Sequence, residues 1–343
     1  MPRPPREPPL WSDSAWQASV EAWIDEQLES AGLHRTGPMA PRARPWSIVL
    51  EVPTSGGRTW FKSTAPRMAN DAGLTPLLAA TGNQLIVTPL ASDPAHRWML
   101  LPDVGERLRD RAAGAALIEH WERILPAYAE LQRSVEGRSD ELLEAGALDR
   151  RPARLADLLG TLLEEPWWLR LDEPGGLERA QLDQLRALMP RLADCAAELE
   201  ASGIGASIQN DDLHDGNVLV GGDGDRVIDW GDACLAHPFG TLLVTLRSVG
   251  AALELPKWTP FGTVVPELDR LRDAYLEPWT DRIPRDRLER AVRLAAWSGM
   301  LARVHAWRAA LVHADDAELA EWGDAVPGWL GELVATAPGP AMS

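Results

Sequence analysis

The sequence predicts an α+β fold: a small antiparallel-sheet lobe, then a larger helical lobe with an embedded β-hairpin. Three observations carry that expectation. The chain has 343 residues, enough for two hydrophobic cores. After Pro102-Asp103-Val104-Gly105, short strand-like runs give way to long amphipathic helical patterns. A compact β segment, Ile208 to Trp230, interrupts those helices. The first lobe is assigned to residues 1–101 and the second to residues 102–343.

The elements follow in order. Residues 1–10 are proline-rich and are expected to be mobile. From Ser12 to Leu33, Trp16, Val20, Trp23, Ile24 and Leu28 recur at helical spacing. Trp46–Val52 and Arg58–Lys62 read as strands around a turn at Pro53–Gly57. Asp71–Ala80 reads as a helix, and Gln84–Pro89 and Arg97–Leu101 as two further strands. Helices are then expected over 115–135, 154–165 and 177–202. After the β segment they resume over 239–253, 266–276, 285–311 and 317–334.

Composition excludes several classes. Fifty-one acidic against 34 basic residues give a formal charge of −17. Such a surface argues against nucleic-acid binding, which needs clustered Lys and Arg. It is compatible with a cationic ligand, or with acidity that serves solubility. Cys195 and Cys234 form no Cys-x-x-Cys pair, so neither a disulfide framework nor a zinc site is expected. Cys195 falls among leucines and reads as a small buried hydrophobe. The N-terminus lacks the apolar core of a secretory signal, and no apolar run spans a membrane. A cytoplasmic protein is expected.

The informative segment runs from Gln209 to Asp232. Gly221–Asp225 has the composition of a turn. If Val218–Val220 pairs with Arg226–Ile228 about that five-residue loop, Val220 faces Arg226 and Asn217 faces Asp229. One amide and one carboxylate oxygen would then converge, a hard donor pair suited to magnesium held together with substrate phosphates. Asp212, five residues before Asn217, can project to the same place.

Asn210-Asp211-Asp212-Leu213-His214-Asp215-Gly216-Asn217 and Ile228-Asp229-Trp230-Gly231-Asp232 resemble the catalytic core of the aminoglycoside phosphotransferase and choline kinase family, which has a protein-kinase-like bilobal fold. The resemblance implies an ATP- and magnesium-dependent phosphotransferase. It makes Asp212 the catalytic base and Asn217 and Asp229 the magnesium ligands. It gives Lys62 the α- and β-phosphates and Asp71 the task of orienting that lysine. Lys62 stands out independently, because only it and Lys257 are lysines in an arginine-rich chain. A compact ammonium acts as a point charge where guanidinium is wider and planar. The adenine face is implied at Leu219 and Ile228, and the interlobe hinge at Leu101 and Asp103. The loop over the phosphates is sought within Thr36–Pro45, which has no glycine-rich motif.

The chain departs from the family pattern at Asn210 and Asp211, where His and Gly are usual. It also lacks an Asp after Cys234 that often starts the following helix. His214 is expected to support the loop. Asp211, Asp215 and Asp232 flank the centre and are candidates for an acidic acceptor entrance. Trp297 and Trp307, on a late helix, are candidate walls of the acceptor site. The expected acceptor is a hydroxyl of an aminoglycoside-like or other amino-sugar or antibiotic molecule. Alternatives are another hydroxylated metabolite (a sugar, macrolide, peptide antibiotic or amino alcohol) and a nucleotide-binding pseudokinase. The presence of Lys62, Asp212, Asn217 and Asp229 argues against the last.

Overall fold

The computed structural model describes residue 3, residues 5–255 and residues 264–338. α1 (Ser14–Ser30) leads into β1 (Ala40–Ala43), β2 (Ser47–Thr54) and β3 (Gly57–Thr64). α2 (Asp71–Ala79) follows, then β4 (Ala91–Asp93) and β5 (Trp98–Pro102). The five strands form one antiparallel sheet in the order β1-β2-β3-β5-β4. Alternation along β3 divides its side chains between the two faces. Phe61 turns to the outer face, where Trp16 and Trp23 of α1 meet it edge-on. Lys62 turns to the other, paired with Val49 on one side and Met99 on the other. A side chain on a strand flanked from both sides has a fixed starting point, as a site residue requires.

The second part holds β6 (Glu106–Arg107), α3 (Leu108–Arg111), α4 (Gly114–Val135), α5 (Ser139–Glu144), β7 (Leu148–Asp149) and α6 (Leu155–Glu164). α7 (Arg179–Ala187) and α8 (Met189–Glu200) precede β8 (Ser207–Asn210), β9 (Val218–Gly221), β10 (Gly224–Val227) and β11 (Ala233–Ala236). α9 (Leu242–Ala252), α10 (Pro266–Leu276), α11 (Arg285–Leu311), α12 (Asp316–Trp322) and α13 (Ala325–Ala335) complete it. One large apolar core joins α4, α8, α9, α10, α11 and α13. Cys195 and Cys234 are both buried and unbridged. Among the described residues, no helix is long and apolar enough to cross a membrane.

Several expectations need correction. Gln84–Pro89 is not a strand. Leu85, Ile86 and Val87 are all buried, and the run joins the hairpin through a single bridge, the Val227 amide donating to the Leu85 carbonyl at 2.7 Å. The helix expected over 177–202 breaks at Leu188, where Pro190 lacks the amide a continuous helix would use. The helix expected over 317–334 breaks at Gly323. The hairpin register is also one residue off. β9 and β10 close over two residues, Gly222 and Asp223, with Gly224 at φ 102°. Asn217 therefore faces Ile228, whose amide donates to the Asn217 carbonyl at 2.9 Å. The chain start, expected to be mobile, is anchored in its described part; residues 1, 2 and 4 lie outside the described residues. The Glu7 amide donates to the Val312 carbonyl at 3.2 Å, and Arg6 donates to the His313 carbonyl at 3.0 Å.

His237, just before α9, is fully buried, and burial pushes its imidazole down to about 3. The unfolded chain therefore takes up a proton near pH 6.5 that the folded chain refuses. Stability from this group is complete above about pH 6.5 and declines as pH falls toward 3. Comparing melting temperatures of the wild type and His237→Gln from neutral pH downward should show the wild type losing more stability over that window. Parallel acid limbs would exclude His237 as a contributor.

Candidate active site

The loop between β8 and β9 is braced from three elements. Asn210, the last residue of β8, leads into it. Its amide donates to the Tyr128 hydroxyl of α4 at 2.8 Å, and Thr241 donates to its carbonyl at 2.9 Å. Thr245 of α9 donates to the Leu213 carbonyl at 2.8 Å. The Asn210 side chain does two jobs. Its Oδ1 accepts from the Asp212 amide at 3.0 Å, and its Nδ2 donates to the Asp229 carbonyl, also at 3.0 Å. Asn thus ties the loop to the segment after the hairpin. Thr241 and Thr245 thus brace the loop from the start of α9.

Within the loop, Asn217 Nδ2 donates to the Asp212 carbonyl at 3.0 Å and lies 3.4 Å from its carboxylate. His214 Nδ1 accepts from the Gly216 amide at 2.9 Å, and its Nε2 stands 3.4 Å from Asp212. Since Nδ1 accepts, a neutral ring carries its hydrogen on Nε2, the nitrogen nearer Asp212. His214 therefore supports the loop, as expected.

Lys62 reaches this assembly from the sheet. Its Nζ donates to Asp71 at 2.5 Å and to Asp229 at 2.6 Å. Thr75, one helical turn after Asp71, donates to the other Asp71 oxygen at 2.8 Å. Burial works against the ammonium, but Asp229 and Asp71 outweigh it and hold Lys62 above the usual lysine range. Asp229 adopts a left-handed backbone, φ 63°, which turns the chain out of the hairpin. In a non-glycine residue such a backbone costs about 1–3 kcal/mol. Of the expected magnesium ligands, Asn217 Oδ1 and the second carboxylate oxygen of Asp229 accept no hydrogen bond among the described residues. A hard divalent cation completed by phosphate and water oxygens fits that pair.

One residue at the centre was not foreseen. Arg303 of α11 is buried, 3.0 Å from Asp212 Oδ1 and 3.6 Å from Asp232 Oδ2, and it donates to the Asp211 carbonyl at 3.1 Å. Burial alone would raise the Asp212 carboxyl. Arg303, aided by His214 and Asn217, outweighs burial and holds it well below the usual range. Asp232 goes the other way. Burial, reinforced by Asp212 and Asp229, pushes it up to about 7 against the pull of Arg303. The sequence signal for Arg303 was a lone arginine on an otherwise apolar helix face.

The remaining candidates separate. Asp232 and Trp307 line a cavity of about 270 Å³ over Asp212, with Trp46 and Met68. Trp46 sits in the β1–β2 turn, next to the segment searched for a phosphate-covering loop. Asp211 does not reach the cavity. It is buried against Arg150 at 2.8 Å, which explains how an acid occupies a position where Gly is usual. Asp215 pairs with Arg109 at 2.8 Å. Trp297 is wholly buried, and its indole donates to the Leu333 carbonyl at 2.9 Å, so it is core and not a wall of the site. Asp103 is engaged by Arg58 at 3.0 Å, leaving only hinge backbone groups there for a base. Leu101, Leu219 and Ile228 are half-buried. At the hinge, Gly105 has φ 136°, and a Cβ there would run into the Val220 carbonyl.

No family model and no curated protein matches the sequence. Solved structures do. A choline/ethanolamine kinase family protein from Mesorhizobium loti is 14% identical, with 94% of this chain and 96% of that one covered and a TM-score of 0.57. An ethanolamine kinase from Plasmodium vivax is 12% identical, with 90% and 84% covered and a TM-score of 0.61. Amicoumacin kinase, solved with AMP-PNP and Ca2+, is 12% identical, with 94% and 96% covered and a TM-score of 0.56. The fold is the protein-kinase-like bilobal α+β fold shared by these proteins.

Arg303 carries the electrostatic balance of the loop, so its removal leaves Asp212 and Asp232 facing each other without a cation. Arg303→Met should lower unfolding stability by roughly 3–5 kcal/mol, the usual cost of breaking a buried pair from one side. Adding Asp232→Asn should recover part of the loss in denaturant titrations. A loss below about 1 kcal/mol would contradict the arrangement.

Proposed function

We propose that this chain is a small-molecule kinase. It moves the γ-phosphoryl group of ATP to a hydroxyl of a hydroxylated acceptor. One observation carries this reading: Lys62, held between Asp71 and Asp229, lies beside a loop that presents Asp212 and a free Asn217 oxygen. The fold, shared with choline/ethanolamine, ethanolamine and amicoumacin kinases, supports it, and the last of these was solved with a nucleotide analogue and a divalent cation.

The roles follow from the chemistry. Lys62 sets a positive charge against the α- and β-phosphates. Magnesium arriving with the nucleotide would neutralise phosphate charge, held by Asn217 and Asp229. Asp212 accepts a hydrogen bond from the acceptor hydroxyl and aims it in line. As the new O–P bond forms, the bond from γ-phosphorus to the bridging oxygen breaks, ADP leaves, and the hydroxyl proton passes to Asp212. Arg303 keeps Asp212 ionised and hence a weak base. That suits a loose transition state, in which positioning counts for more than early deprotonation. Leu219, Ile228 and the hinge backbone from Leu101 to Asp103 take the base.

The test is acceptor-dependent ADP release over a panel of hydroxylated small molecules with magnesium. Asp212→Ala should lower kcat roughly 10²–10⁴-fold with nucleotide affinity kept, whereas Lys62→Met should also weaken nucleotide binding. Asp212→Ala turning over near the wild-type rate would remove the assigned base. Nucleotide binding without turnover of any acceptor would make the chain a pseudokinase.

A further inference from the structure

The cavity over Asp212 has a definite chemistry, and it bears on the acceptor if the kinase reading holds. Its polar floor carries little net charge. Asp212 and Asp232 share a single guanidinium, Arg303, so the three groups sum formally to one negative charge. The other acids expected at the entrance are committed elsewhere, Asp211 to Arg150 and Asp215 to Arg109. A molecule bearing several ammonium groups would find one uncompensated carboxylate and a buried arginine facing it. Desolvating the remaining charges without partners is costly.

The walls are aromatic. Trp307 rises from α11 on the helical side. Trp46 descends from the β1–β2 turn on the sheet side and meets it edge-on, with ring centroids 5.9 Å apart and planes at 80°. Trp322 of α12 backs Trp46 at 5.1 Å and keeps that indole in place. Both walls are only half-buried, and both line the cavity. Two perpendicular indoles make a corner that receives the C–H face of a ring, and one of them can also cover a single cation. The volume, about 270 Å³, lies just under the roughly 300–1,000 Å³ of sites for drug-sized ligands.

We propose that the acceptor is a single-ring polyol or amino-polyol with at most one ammonium group, seated in the Trp46–Trp307 corner with its reacting hydroxyl on Asp212. Polycationic multi-ring aminoglycosides are disfavoured by this site. Trp46 and Trp307 are then the specificity-determining residues, and because Trp46 belongs to the sheet lobe, the two lobes read the acceptor together.

The experiment compares three acceptor classes: neutral single-ring polyols, single-ring amino-polyols with one amine, and multi-ring aminoglycosides with several amines. Each is measured by ADP release and by calorimetric binding, with AMP-PNP binding measured separately. The single-ring classes should have the higher kcat/KM. Trp46→Ala and Trp307→Ala should raise their KM roughly tenfold, a loss of about 1.4 kcal/mol. Trp46→Phe and Trp307→Phe should restore most of it, and AMP-PNP affinity should stay unchanged throughout. Preference for the polycations, or KM unmoved in both alanine variants, would overturn the proposal. So would calorimetry in which AMP-PNP binds and no single-ring compound does. Failure to bind AMP-PNP would instead bring down the kinase reading, while acceptor calorimetry would still decide the corner.

Discussion

The lysine held between two aspartates is the constraint on which the site turns. Lys62 comes from the sheet, Asp71 from the first turn of α2, and Asp229 from the segment after the β9–β10 hairpin. Lys62 and Asp71 are buried and Asp229 is half-buried, so the two inner charges are tolerable only while their partners are there. The register of β3, the start of α2 and the left-handed turn at Asp229 therefore have to agree with one another. Asn210 extends the agreement, because it holds the Asp229 carbonyl and the Asp212 amide with one side chain. A shift of the sheet against the helices would move Lys62 relative to Asp229, and through Asn210 relative to Asp212.

Arg303 is the second anchor, and it works from the opposite side. Five aspartates, Asp71, Asp211, Asp212, Asp229 and Asp232, gather around Lys62, Arg150 and Arg303. The carboxylates outnumber the cations. The excess shows in how the acids divide the available charge: Asp212 takes the short contact to Arg303 and stays ionised, while Asp232 takes the long one and is pushed up to about 7. Two carboxylates sharing one guanidinium thus acquire different acidities from geometry alone.

What was legible in the sequence was local. Asp212, Asn217 and Asp229 lie within one β segment, so spacing could suggest that they converge, while the roles proposed for them come from the resemblance. Lys62 was visible because lysine is so rare in this chain, and Asp71 because it begins the next helix. The hairpin register was misjudged by one residue, since glycines at 221, 222 and 224 admit a two-residue or a five-residue loop equally well by composition. The site survived that slip because Asp229 lies beyond the ladder and is aimed by its own backbone turn and by Lys62. Arg303 could not be paired by reading along the chain. Its partner Asp211 is 92 residues away, and only the packing of α11 under the loop brings them together. The same holds for Asp211 and Arg150, and for Trp46 and Trp307. Trp297 and Trp307 share a helix and were equally plausible walls, yet helical rotation sends one into the core and the other to the cavity.

The tryptophans complete the account of composition. Sixteen Trp stand beside three Phe and two Tyr, so Trp supplies nearly all the large aromatic volume. Trp16, Trp23 and Trp98 surround Phe61, with Trp11 against Trp16, and join α1 to the sheet, while Trp121, Trp230, Trp279 and Trp297 fill the helical core. The indole N–H groups of Trp98, Trp121, Trp230 and Trp279 are buried without partners among the described residues, and an unpaired buried donor costs about 1–3 kcal/mol relative to a hydrogen-bonded one. The core therefore uses these rings for bulk, at a polar cost that phenylalanine would avoid. At the cavity the use is different. There Trp46 and Trp307 remain partly open, above two carboxylates that share Arg303. The strong acidity of the chain as a whole is thus a poor guide to its ligand. Most of that charge lies on solvated surface, and the two carboxylates at the cavity share one guanidinium, so in the proposed reading ring surface selects the acceptor.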